Sequence, residues 1–252
     1  MLWAVNDSGN DPLLWALGTD GRLLGTVRVA GVKNEDWEAL ASFELDGESW
    51  LVIGDVGDND AVRATVRLHY VREPVIDGGK LPEDASVRPE RTVNFSYEDG
   101  PRDCESLAVD VLGRRVLLMS KRVKPPALYE LPLRPHGKVV AAKIAPRVSI
   151  PALDEERSRL LARLARYATQ PTAMDLSSDG RTLVVQTYTD AFRFRRGKGQ
   201  TWAGALAEEP ERIPVPLMPQ AEALAFSRAG RSFWVSSEHT PNPLVLIDPD
   251  QE

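Results

Sequence analysis

Glu38, Glu105 and Glu222 hold the same place in three recurring sequence units, and Thr172 holds it in a fourth. The units read Asp36-Trp37-Glu38-Ala39-Leu40-Ala41, Asp103-Cys104-Glu105-Ser106-Leu107-Ala108, Gln170-Pro171-Thr172-Ala173-Met174-Asp175 and Gln220-Ala221-Glu222-Ala223-Leu224-Ala225. After each comes a turn and a second apolar run ending in a polar residue: Asp55, Lys121, Tyr188 and Glu238. From the recurrent position to that polar end is 17 residues in the first unit and 16 in the other three. Carboxylates brought together raise one another's pKa unless a cation neutralises them. Oxygen ligands without thiols or paired histidines suit Ca²⁺ or Mg²⁺. The spacing therefore nominates Glu38, Glu105 and Glu222 as metal ligands. It nominates Asp7, Asp55, Arg63, Lys121, Tyr188 and Glu238 as a ligand-binding rim. A second reading stays open, in which the glutamates accept backbone N–H groups from neighbouring sheets and Lys121 and nearby arginines are counter-charges.

The elements that must position these residues are short strands. Leu2–Val5, Leu13–Leu17, Leu23–Val29, Trp50–Ile53, Thr65–Val71, Arg115–Met119, Thr182–Gln186, Ser232–Ser236 and Leu244–Ile247 are rich in Val, Leu, Phe and Trp, and end in Gly, Asp, Asn or Pro. Turn pairs such as Asp20-Gly21, Asp46-Gly47, Asp179-Gly180 and Ala229-Gly230 separate successive runs. The recurrent position repeats after 67, 67 and 50 residues. A repeating unit of three or four short antiparallel strands predicts an all-β fold, a β-propeller. Five blades are expected over a single domain, 1–252, and six if 75–100 or 134–170 holds another. Leu2-Trp3-Ala4-Val5-Asn6-Asp7 matches the second strands, so the first blade is expected to lack its inner strand. Residues 153–167, with Leu160, Leu161, Leu164 and Tyr167 among charged residues, predict one helix inserted between blades.

Further motifs narrow the chemistry. Asn6-Asp7-Ser8-Gly9-Asn10-Asp11 and Asp55-Val56-Gly57-Asp58-Asn59-Asp60 are Asp/Asn-rich loops at corresponding blade positions. They suit either a calcium loop outside the EF-hand pattern or a turn whose side chains cap backbone groups. Arg63 is placed to pair with Asp58 or Asp60, or to hold an anion. His69, His136 and His239 are scattered, and Cys104 lies between two acids that disfavour its thiolate, so nucleophilic catalysis lacks support. One cysteine excludes an intrachain disulfide. The net charge of −6 argues against nucleic acid as a partner, and the basic run 193–198 reads as a solvated strand and turn. No apolar run approaches the ~20 residues that a membrane helix needs. The chain as it stands fits the cytoplasm, and export if a signal precedes it.

These motifs resemble a family of bacterial β-propellers of unassigned activity. The resemblance rests on Asn6-Asp7-Ser8-Gly9, Asp36-Trp37-Glu38, Gly54-Asp55 with Gly57-Asp58-Asn59, Arg72-Glu73-Pro74 and Asp103-Cys104-Glu105, and extends to Gln186-Thr187-Tyr188. More distantly the chain looks like calcium-dependent propeller phytases and gluconolactonase-like propellers. That likeness implies a divalent cation, Ca²⁺, held by acidic residues at a channel mouth, where a small molecule or a protein would bind. It leaves open a cation- or ligand-binding propeller, a calcium-dependent hydrolase of phosphoesters or lactones, and a protein-interaction scaffold.

Overall fold

Where Val, Leu and aromatic residues alternate between Gly- or Asp-rich turns, the computed structural model forms antiparallel strands. It describes residues 1–76, 78–238 and 242–250. The chain divides into two compact units: unit 1 comprises Met1–Asp103 with Pro135–Val140, and unit 2 comprises Cys104–Arg134 with Ala141–Glu252.

Unit 1 holds two blades. In the first, β1 (Leu2–Val5), β2 (Leu13–Leu17) and β3 (Leu23–Val29) follow one another, and β7 (Ser86–Val87) adds in parallel to the outer edge of β3. The second blade runs β4 (Trp37–Leu45), β5 (Glu48–Asp55), β6 (Val66–Arg72) and β8 (Arg91–Tyr97). Asp46 and Gly47, at φ 55° and 79°, make the β4–β5 hairpin, a turn that needs positive φ at both central residues. β1 pairs with β2, is the edge strand of its sheet and lies against β4. Leu14, Val27, Trp37, Leu51, Ile53 and Val71 form the apolar layer between the two blades.

Unit 2 holds three blades. The first is β9 (Cys104–Asp110), β10 (Arg115–Ser120), β11 (Leu128–Pro132) and β12 (Val139–Ala145). After it come β13 (Pro171–Leu176), β14 (Thr182–Thr187), β15 (Ala191–Arg195) and β16 (Glu211–Ile213), then β17 (Ala221–Phe226), β18 (Phe233–Ser237) and β19 (Val245–Ile247). The inner strands β9, β13 and β17 are neighbours in that order. One apolar layer joins Leu117, Met119 and Leu128 to Met174, Leu183 and Phe192. The next joins Ala173 and Val184 to Leu224, Phe233 and Val235. The chain is thus all-β, and its sheets are propeller-type blades, five among the described residues. The stretches that left room for a sixth blade supply outer strands instead, β7 and β8 from one and β12 from the other.

Two helices decorate unit 2. The single helix expected over 153–167 is instead α1 (Glu155–Leu160), capped by Asp154, followed by a separate 3₁₀ turn at Ala165–Tyr167. α1 buries no residue, and Leu160 is 75% exposed. A short helix without a buried face is not sustained in water, so the element stops early. α2 (Trp202–Ala207), which the sequence reading missed, starts at the Thr201 cap and buries Trp202, Ala205 and Leu206 against Phe192 and Phe194.

Asp175 on β13 ties two blades of unit 2 together. One of its oxygens accepts the Phe226 N–H at 2.8 Å and the other accepts the Leu176 N–H at 2.8 Å. The residue keeps some exposed surface, yet the protein around its carboxyl pushes the pKa up to about 6 against those two N–H groups. Its folded pKa exceeds the unfolded value of 3.8, so its contribution to stability falls as pH rises from about 4 to about 6. Urea midpoints at pH 4.5 and 7 will show a pH dependence for the wild type that Asp175→Asn flattens in this direction.

Candidate functional site

The recurrent position has a specific local geometry. The β4–β5 register slips between Trp37 and Ala39, at Glu38. In β13–β14 it slips between Pro171 and Ala173, at Thr172, and in β17–β18 between Ala221 and Ala223, at Glu222. The β9–β10 ladder passes from Cys104 opposite Ser120 to Ser106 opposite Met119, which leaves Glu105 as the extra residue. Each of the four aligned residues is therefore a β-bulge. A bulge re-aims a side chain and breaks the two-residue alternation.

In unit 1 the bulge brings Glu38 together with Asp36 and Asp7. One ligand oxygen from each lies within 4.8 Å of the other two, and all three residues are partly exposed. Asn34 fixes the Asp7 loop to the start of β4: its Nδ2 donates to Asn6 O at 2.9 Å and Asp7 O at 2.8 Å, and its Oδ1 accepts the Trp37 N–H at 3.0 Å. Gly57 closes the other side. A Cβ there would lie 2.4 Å from Asp36 Oδ2 and 2.8 Å from Glu38 Cγ. Burial, then the Asp7 charge, pushes the Asp36 carboxyl above the usual range against the opposing effects of Arg63 and Ser8.

Asp55, expected at a ligand rim, is fully buried. Its Oδ1 takes Arg63 Nη2 at 2.7 Å and its Oδ2 lies 3.4 Å from Arg67 Nη1, while His69 Nε2, at 3.9 Å, is within electrostatic reach but beyond hydrogen-bond length. Burial pushes this carboxyl up, but the His69 ring, Arg63 and Arg67 more than offset it and hold it below the usual range. Arg63 thus pairs with Asp55, not with Asp58 or Asp60 as the loop spacing suggested. Asp58 caps the loop instead, accepting the Val62 and Arg63 N–H groups at 2.8 and 2.9 Å.

In unit 2 three blades converge on Lys121 at the end of β10. Its ammonium contacts Glu105 of its own blade and lies 3.2 Å from Glu222 Oε1, 101 residues away. Tyr188, at the end of β14, donates its hydroxyl to the same Glu222 oxygen at 2.6 Å. Burial alone would lower the Lys121 pKa, and Glu105 and Glu222 outweigh it and raise it. Burial and the Glu222 bond raise the Tyr188 pKa. Lys121 supplies to Glu105 and Glu222 the positive charge that a metal would otherwise supply. Thr172 donates its hydroxyl to Ala221 O at 2.6 Å, which joins the bulge of β13 to β17.

Glu238 is exposed and accepts from Gln220 Nε2 at 2.5 Å. His69 lies inside β6, with Nδ1 3.0 Å from Thr92 Oγ1, and His239 lies outside the described residues. Cys104 is fully buried, its Sγ 3.2 Å from Met119 O. The basic run is not simply solvated. Arg193 forks onto Glu211 at 2.7 and 2.8 Å, and Arg196 pairs with Asp110 at 3.0 Å while stacking on Trp202.

No protein-family model and no curated protein matches the chain in sequence. Among solved structures, the periplasmic gluconolactonase of Pseudomonas aeruginosa aligns with 97% of this chain and 66% of its own, at 16% identity and a TM-score of 0.48. The hydrazine synthase of Kuenenia stuttgartiensis aligns with 99% and 68%, at 10% identity and a TM-score of 0.50. The chain spans about two thirds of the length of these proteins. At such identity the likeness is one of fold, and fold does not carry activity. Among the described residues, no helix is long and apolar enough to cross a membrane.

Lys121→Met leaves Glu105 and Glu222 without the ammonium between them. Removing one partner from a buried charge cluster costs ~3–5 kcal/mol. The variant will show that loss in its urea midpoint at pH 7, and Glu105→Gln in the same chain will recover part of it.

Proposed function

We propose that the protein is a binding module whose unit 1 holds a hard divalent cation, Ca²⁺ in the first instance, at Asp7, Asp36 and Glu38. The reading is carried by the meeting of three carboxylate oxygens within 4.8 Å, brought about by the bulge at Glu38. The residues fit such an ion. Ca²⁺ takes 6–8 oxygen ligands, and a partly exposed cluster leaves room for water or a ligand oxygen beside the three carboxylates. The space beside Gly57 is kept clear of a side chain where Asp36 and Glu38 stand. A bound ion would orient an oxygen-rich or anionic small molecule at this edge of the blades.

The raised Asp36 pKa gives the proposal a thermodynamic signature. Asp36→Asn removes like-charge repulsion, so without metal at pH 7 it raises the melting temperature, while it abolishes the stabilisation that calcium confers. Calcium at 100 times its Kd stabilises the wild type by ~2.7 kcal/mol. Gly57→Ala keeps all three carboxylates but displaces two of them, and weakens calcium binding by about tenfold or more, ~1.4 kcal/mol. Calorimetric titration and thermal melts check each outcome. Silence in both for the wild type overturns the reading. Turnover is read separately: hydrolysis of lactones or phosphoesters that requires Ca²⁺ and is lost in Asp36→Asn would extend binding to catalysis.

A further inference from the structure

A second cleft lies in unit 2, and none of its lining residues was nominated above. Asp190 stands at the turn from β14 into β15 and is 2% exposed. Its Oδ1 pairs with Arg157 Nη2 at 2.9 Å, where Arg157 reaches over from α1. The pair is single-stranded in its bonding. Asp190 Oδ2 and Arg157 Nη1 are both buried, and neither has a hydrogen-bond partner. An unmatched buried acceptor beside an unmatched buried donor is costly, since each loses water without gaining a bond.

Both residues line a cavity of ≈180 Å³ that also touches Glu209 and Arg212. Its charged lining is two cations and two anions. Pro151, Leu153, Phe192 and Pro210 give the rest an apolar wall. Phe192 and Arg212 are direct cross-strand partners on β15 and β16, so the apolar floor and the charged rim are held in register by the sheet. Phe192 and Pro210 are buried, while Glu209 and Arg212 are exposed, which sets the depth of the cleft. The volume is that of about six waters at ~30 Å³ each, and it falls below the ~300–1,000 Å³ of sites for drug-sized ligands.

From this geometry we infer that the cleft binds a small zwitterion with an apolar body, an apolar free α-amino acid. The ammonium donates to Asp190 Oδ2, with Glu209 as its second anion. The carboxylate accepts from Arg157 Nη1, with Arg212 beside it. The side chain lies against Phe192, Pro151 and Pro210. A net anion or net cation meets as much repulsion as attraction here, whereas a zwitterion satisfies both orphaned atoms at once. Charge-assisted bonds of this type are about twice as strong as neutral ones.

The test uses the full chain and three probes, L-leucine, L-proline and L-phenylalanine, in calorimetry and thermal melts. At least one of the three is expected to bind and to raise the melting temperature. For that probe, the N-acetylated and the carboxamide forms each bind weaker by about tenfold or more, since each lacks one charge-assisted partner. Asp190→Asn weakens binding to the same extent. Arg212→Ala and Glu209→Gln change exposed residues and weaken binding by about threefold or more, which decides the matter should Asp190→Asn not fold. No binding by any of the three probes overturns the inference. So does equal binding of the blocked forms, or affinity unchanged in every variant that folds.

Discussion

A twisted sheet of three or four short strands has two apolar faces and cannot bury both by itself. That constraint organises the whole chain. In each unit, the layer between consecutive blades is built from the inward residues of both, such as Leu51 and Ile53 with Leu14 and Val27, or Leu117 with Met174 and Phe192. Fully burying one such side chain contributes ~1.5–3 kcal/mol. Inner strands packed this closely bring their polar residues together as well. The bulges on β4, β9, β13 and β17 each take one residue out of the alternating pattern and re-aim its side chain. One constraint thus yields both the core and the crowding of charge at the strand ends.

The crowding is resolved differently in the two units. In unit 2 an ammonium sits among the carboxylates, and Tyr188 takes up a remaining acceptor on Glu222. Around Asp55 in unit 1, two guanidinium groups do the same. At Asp36, after its own burial, the larger electrostatic influence is the Asp7 carboxylate, which raises its pKa, and Arg63 acts in the opposite direction.

Strands were legible in the sequence because alternation between Gly- and Asp-rich turns is a local signal. Leu2–Val5, Leu13–Leu17 and Leu23–Val29 have the same limits in sequence and structure. The common offset from Glu105, Thr172 and Glu222 to the next strand's end exposed the equivalence of those positions. It could not expose the bulge, which inserts one residue without altering composition. Partner choice was illegible for a different reason. Lys121 and Glu222 are 101 residues apart, and Arg63 found Asp55 through the loop that Asp58 caps. α2 escaped because six residues are too few for a helical period, and 153–167 misled because its leucines have helical spacing but no surface to cover. Asp190 carries no motif at all. Its burial beside Arg157 follows from packing alone.

The parallel attachment of Ser86–Val87 to β3 has a consequence for synthesis. Arg28 N donates to Ala85 O and Arg28 O accepts from Ser86 Oγ, across 58 residues that include the whole β4–β6 meander. During synthesis the β1–β3 sheet therefore waits with a bare edge until Ser86–Val87 has emerged. At ~5–20 residues per second that interval lasts several seconds, during which the nascent chain offers an open hydrogen-bonding ladder to any extended segment nearby. Arg28, standing on that edge and paired with Asp11 at 3.0 Å, places a charge where uncontrolled strand addition would begin.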